Sequence, residues 1–115
     1  MVKKQLIPRP PGHLSKEARI LWKALHTEWV ISEPGSVAIL VSALESYDRS
    51  QAARKILARD GLSITDRFDQ VRVHPLCAVV RDAESAFRAA LRQLGVDKAP
   101  DENPPRRPGR PTAKI

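Results

Sequence analysis

Three features of the sequence predict a mainly α-helical fold: a helical hairpin of long antiparallel helices plus a third helix. Apolar residues recur at helical spacing after Ser15, a breaker-free run extends from Val37 to Gly61, and another apolar stripe follows Pro75. Between the second and third features the period drops to two, which predicts a short β-hairpin or an extended loop. Of ten Pro in 115 residues, only Pro34 and Pro75 lie in the interior; the rest cluster at the two ends. The chain divides accordingly into a flexible basic N-terminal arm (residues 1–13), a helical domain (14–96) and a flexible, disordered Pro/Arg-rich C-terminal tail (97–115).

The first helix is read in HLSKEARILWKALHTEW. Ser15 is a good N-cap, because its hydroxyl can accept from the free amides of the first turn, and Glu17 lies where the helix dipole favours an acid. Ala18, Leu21, Trp22, Leu25 and Trp29 then form one stripe. At the next boundary, Ser32 is the expected cap and Pro34 fits the first turn, while Gly35 argues for a start near Val37. The run to Gly61, a candidate left-handed C-terminal cap, gives a second helix about 35 Å long. Val37, Leu40, Val41, Leu44, Tyr47, Ile56 and Leu57 place apolar surface on more than one of its sides, enough for a partner helix and a second subunit.

After Gly61, Leu62 and Ile64 alternate with polar residues, as do Val71 and Val73, around the turn-prone stretch DRFD. Phe68 at its tip is expected to fold back onto a helix, since large apolar side chains are usually buried. Pro75 opens the third helix, whose stripe of Leu76, Val79, Val80, Ala83, Phe87, Ala90, Leu91 and Leu94 ends at Gly95. Glu84 and Arg88 can pair across one turn.

Aromatic residues make up 4% of the chain, so the core relies on Leu, Ile, Val and Ala, and neighbouring subunits are expected to supply further burial. The net charge of +7 is unevenly placed. Residues 1–13 carry +3, and residues 96–115 carry five basic against three acidic groups; the body between has twelve against ten. Basic arms on a nearly neutral body point to a polyanion, nucleic acid being the commonest, with ordinary solubility charge as the plainer alternative. Cys77 is the only cysteine, so neither a disulfide framework nor a thiolate metal site is expected. No apolar run reaches the length of a membrane span and Val2–Ile7 is too short for a signal-peptide core, so no membrane association is expected and the protein reads as cytosolic.

The sequence carries no recognisable catalytic constellation. His13, His26 and His74 are scattered, without an HxxxH or HExxH pairing, and there is no phosphate-binding glycine loop, dinucleotide fingerprint or nucleophile elbow. Asp66, Asp69 and His74 match no established metal spacing and read as a solvated turn. No catalytic residue, metal or cofactor is therefore expected.

For nucleic acid, Lys16, Arg19 and Lys23 fall at i, i+3 and i+7 on one face of the first helix, clear of Leu21 and Leu25. A solvated helix face is the competing reading. Arg54, Lys55 and Arg59 complement the helix dipole near the end of the second helix. Arg81, Arg88 and Arg92 are partly neutralised by Asp82 and Glu84. The arms add Lys3, Lys4, Arg106, Arg107 and Arg110 as candidate phosphate contacts. In the tail, Pro108 separates Arg107 from Gly109, so the segment departs from the Arg-Gly-Arg-Pro centre of a minor-groove hook. It reads as a non-specific phosphate-binding arm, a partner-docking segment or an inert tail.

The stretch from Pro11 through His13-Leu14-Ser15, Glu17-Ala18 and Trp22 resembles the opening of small subunits of tailed-phage terminases. The resemblance continues through Leu44-Glu45-Ser46-Tyr47, the exit Asp60-Gly61-Leu62 and the closing Leu94-Gly95, covering residues 11–96. Two positions depart from the family pattern: His74 stands where Asn usually precedes the helix-opening Pro, and Pro34-Gly35 replaces an acidic start. The resemblance implies a non-catalytic, ring-forming homo-oligomer in the bacterial host's cytoplasm. Such a subunit binds double-stranded DNA at the phage or prophage packaging site and recruits the large terminase subunit, which supplies ATPase and nuclease. A small dimeric transcriptional regulator or antitoxin is the alternative, although no compact helix-turn-helix is visible. A third possibility is an interaction scaffold whose basic tails dock on an acidic protein.

Overall fold

The computed structural model describes residues 7–98, which form α1 (Lys16–Glu28), α2 (Pro34–Asp60), β1 (Ser63–Thr65), β2 (Val71–Val73) and α3 (Leu76–Leu94). The fold is mainly helical with one two-stranded antiparallel sheet. Lys3, Lys4, Arg106, Arg107 and Arg110 lie outside the described residues.

The long antiparallel hairpin is α2 with α3. Tyr47 meets Phe87 with ring centroids 5.5 Å apart, and Arg54 binds Glu84, so positions rise along one helix as they fall along the other. α1 packs against α2 as well, so the apolar surplus of α2 is shared between its two neighbours. No large apolar side chain of α2 is exposed, so the outer apolar face expected for a second subunit is not there.

The core sits where α1, the start of α2 and the end of α3 converge. Leu14, Ala18, Trp22, Ile31, Leu40, Leu44, Leu94 and Val96 form one buried cluster. Toward the ribbon end, Ile56, Leu57, Val79 and Val80 are only half-buried. Burial therefore falls off along the hairpin, and so does the hydrophobic stabilisation, which scales with the apolar area removed from water.

The helix ends follow local chemistry. The Ser15 hydroxyl accepts from the Ala18 amide at 3.0 Å, a cap that contributes about 1 kcal/mol. α2 starts at Pro34 rather than near Val37, with Glu33 and not Ser32 at the cap position. Proline at the first helical position lacks only an amide that would have had no partner, and the turn it opens buries Ser36. α3 ends at Gly95 in the left-handed region, with Gly95 donating to Arg92 and Val96 donating to Leu91. Gly61 has positive φ but ψ 169°, an extended mirror conformation open essentially to glycine alone, rather than the left-handed cap expected of it.

In the ribbon, Ser63 pairs with Val73, Ile64 with Arg72 and Thr65 with Val71. Its turn depends on Asp66, whose carboxylate accepts from the amides of Phe68 and Gln70, while Asp69 takes φ 60°. Phe68 is 68% exposed, contrary to expectation: the ribbon makes its contacts mainly within itself and offers no helix surface to cover the ring. His74 closes the base of the hairpin. Its Nε2 donates to the Asp60 carboxylate at 3.1 Å and its Nδ1 accepts from the Leu76 amide at 3.1 Å, the capping role an Asn would fill.

Candidate nucleic-acid interface

Residues 7–14 extend the folded body beyond the boundary expected from sequence. They form an extended strap against α1, in which Trp22 donates from Nε1 to the Pro8 carbonyl at 2.8 Å and Leu14 donates to the Pro11 carbonyl at 3.3 Å. Three prolines in this stretch limit the entropy lost on docking. The chain entering α1 is tied to α2: Asp48 accepts from the Ser15 amide at 2.8 Å and from its hydroxyl at 2.5 Å, while His13 and Glu45 meet at 2.7 Å.

Along the strap and the adjoining face of α1 runs a groove of about 700 Å³, lined by Ile7, Pro8, Arg9, Pro10, Lys16, Arg19, Ile20, Trp22 and Lys23. The structure thus brings Lys16, Arg19 and Lys23 together on one wall and adds Arg9 from the strap, a residue that the sequence reading passed over. The overlooked signal was Trp22 itself, since a buried indole needs an acceptor for its N–H. All four cations are solvent-exposed. Arg19 uses two of its five donors on the Leu14 and Gly12 carbonyls, at 2.9 and 3.3 Å, which fixes the guanidinium and leaves the other donors for a ligand. Lys16 lies in the first turn of α1, where the helix dipole disfavours a cation by about 0.3–1 kcal/mol. An anion in the groove offsets that cost.

Electrostatic context separates this face from the rest of the molecule. Among the described residues, no carboxylate pairs with Arg9, Lys16, Arg19 or Lys23. Elsewhere Arg49, Lys55, Arg67 and Arg92 also have no carboxylate partner but do not line this groove, and the other described arginines are spoken for. Arg54 is held by Glu84, Arg59 by Asp60 at 2.7 Å, Arg72 by Asp66 at 2.7 Å and Arg81 by Asp82 at 3.1 Å; Arg88 lies 4.0 Å from Glu84. Four unneutralised cations beside Ile7, Ile20 and proline rings suit a phosphodiester chain, with phosphates on the charges and sugar faces on the apolar wall. Such an arrangement would suit contact with a backbone and not with base edges.

On the other side of the strap a more apolar hollow of about 600 Å³ is lined by Pro8, Arg9, Pro11, Trp22, Ile31, Ser32, Val37 and Val41. Nothing there resembles a reacting group. Asp66 and Asp69 are engaged in the ribbon turn and His74 in the hairpin base, and among the described residues no three His, Cys, Asp or Glu side chains gather as a metal site. No helix among the described residues is long and apolar enough to cross a membrane.

The chain matches no protein-family model, no curated protein and no solved structure.

Proposed function

We propose that this protein is a non-catalytic DNA-binding adaptor of the small terminase type. In this reading it assembles into a homo-oligomeric ring, binds double-stranded DNA at a packaging site, and brings the large terminase subunit to it. The observation that carries the DNA-binding part is the groove of Arg9, Lys16, Arg19 and Lys23, four cations without carboxylate partners gathered in one place. The motif order from Pro11 to Gly95, resembling that of small terminase subunits, supports the packaging context. Lys3, Lys4, Arg106, Arg107 and Arg110 would add phosphate contacts from outside the described residues.

The regulator alternative has less support. A helix-turn-helix uses a short recognition helix set behind a tight turn, and α2, at 27 residues, is too long for that role. The test is a titration of labelled duplex DNA by fluorescence anisotropy from 50 to 200 mM salt. Four or more phosphate contacts weaken binding about a hundredfold or more over that range. Absence of binding at the lowest salt would favour the scaffold.

A further inference from the structure

Large apolar side chains are exposed mainly in one place. Of seven such residues among those described, Leu62, Phe68, Val71 and Val73 belong to the β1–β2 segment, each about 70% exposed. The backbone there is equally unpartnered. His74 donates to the Leu62 carbonyl and Asp66 to the Gln70 carbonyl, so Ile64 and Arg72, midway between, form the remaining hydrogen-bonded pair. Ser63, Thr65, Val71 and Val73 therefore direct their amides and carbonyls out of the two edges. A lone two-stranded ribbon is marginal in water, and open edges are templates for another strand.

We propose that the ribbon is the contact between copies of this chain, joined head to tail, with the β2 edge of one copy pairing antiparallel to the β1 edge of the next. This deepens the proposed ring and rests on that reading. Three observations select the occupant and the geometry. Arg59, Arg67 and Arg72 are balanced by Asp60, Asp66 and Asp69, with Arg59 and Arg72 already in ion pairs and Arg67 stacked on Phe68. The surface is therefore neutral and apolar, so it draws neither DNA nor a charged protein, and copies of a +7 chain meet there without local repulsion.

Geometry then separates head-to-tail from two-fold pairing. If β2 met β2 of a second copy about a two-fold axis in the register that pairs all three of its residues, Arg72 would face Arg72, like charges directly opposite, which destabilises a sheet. Head to tail, in the register the hairpin itself uses, Arg72 faces Ile64 of the next copy and the valines face Ser63 and Thr65. Two-fold pairing also leaves both β1 edges open. The head-to-tail contact uses both edges of every copy and closes when the sheet closes.

Light scattering on the full chain tests this through two edge variants, Val71→Lys with Val73→Lys and Ser63→Lys with Thr65→Lys. All four positions are exposed, so the helical circular dichroism should be unchanged. Should either variant lose it, Val71→Thr with Val73→Thr removes the apolar face while keeping β propensity, and it should still lower the assembled mass. The wild type is expected at several times its 12.8 kDa chain mass, and each edge variant at one chain mass. Their equimolar mixture should stop at two chains, because one intact β1 edge and one intact β2 edge remain. Edge variants that keep the wild-type mass, a β1-edge variant that stays dimeric, or a monomeric wild type would each overturn the proposal. The DNA-binding reading is scored separately, on variants of α1 that leave the ribbon untouched.

Discussion

The indole of Trp22 donates to the carbonyl of Pro8 at 2.8 Å, and this bond turns the basic face of α1 into a groove. Without the strap, Lys16, Arg19 and Lys23 would form a flat helix face. With it, Arg9 and the rings of Pro8 and Pro10 stand as the opposite wall. Trp22→Phe keeps most of the apolar burial and removes the bond. We expect a stability loss of about 1 kcal/mol, with several-fold faster amide exchange at Leu14 and Ser15, whose amides bond to Pro11 and Asp48. Unchanged exchange at those amides would show that packing alone holds the strap.

The ribbon end should be acid-sensitive. The hydrogen bond from Arg59, then that from His74, lowers the Asp60 pKa to about 2. Asp66 is lowered by the Gln70 amide first, then by Arg72 and the Phe68 amide. Depressed folded values mean that these carboxylates stabilise the fold fully above the unfolded pKa of about 4. That contribution is lost as the pH falls toward the folded values. Chemical shifts of β1, β2 and the last turn of α2 should therefore change between about pH 4 and 2, ahead of the α1 core. Asp66→Asn should flatten the ribbon's response, and a ribbon equally acid-sensitive in that variant would contradict the assignment.

Two positive-φ positions should respond in opposite directions to substitution. Gly61 has φ 88° and ψ 169°, where a side chain is strained whatever space surrounds it. Gly61→Ala should cost about 1–3 kcal/mol by chemical denaturation. Asp69 has φ 60°, a left-handed conformation that glycine adopts freely. Asp69→Gly should be neutral or stabilise by up to about 1 kcal/mol, and a large loss would mean that the Asp69 side chain has a role in the turn.

His26 is buried against Trp22, with ring centroids 4.6 Å apart. Its Nδ1 donates to the Trp22 carbonyl at 2.9 Å, an oxygen on the preceding turn of α1, while its buried Nε2 has no partner. A buried acceptor without a donor costs about 1–3 kcal/mol. His26→Leu should thus leave stability unchanged or raise it in thermal melts at neutral pH. A clear loss would mean that the imidazole is satisfied in solution, for instance by water.

What could be read from sequence were the features with local causes. α1 and α3 carry apolar stripes and their own stop and start residues, Ser15 and Gly95, and the ribbon shows in its alternation around an Asp-rich turn. The rest depends on distant partners. Glu45 and Asp48 hold the entry to α1 from 32 and 33 residues away and leave no local trace. The strap has no period, because proline rings and not an amphipathic face make its contacts. Phe68 misled because the burial rule for large apolar residues presumes a surface to fold against, and the ribbon has none within the chain. In the groove, the helix face was legible from the i, i+3, i+7 spacing. Arg9 and the lack of neutralising carboxylates were not, since both are properties of the assembled surface.

The central claim is that the α1 groove binds phosphate. The most direct measurement compares the salt dependence of duplex DNA binding for the wild type with that of Lys16→Glu, Arg19→Glu, Lys23→Glu. Loss of three phosphate contacts should lower the slope of log affinity against log salt by about three, and the affinity itself by a hundredfold or more at low salt. Unchanged helical dichroism and assembled mass would show that the fold is intact. Equal slopes for the two proteins would contradict the claim and place DNA binding, if any, outside the α1 groove.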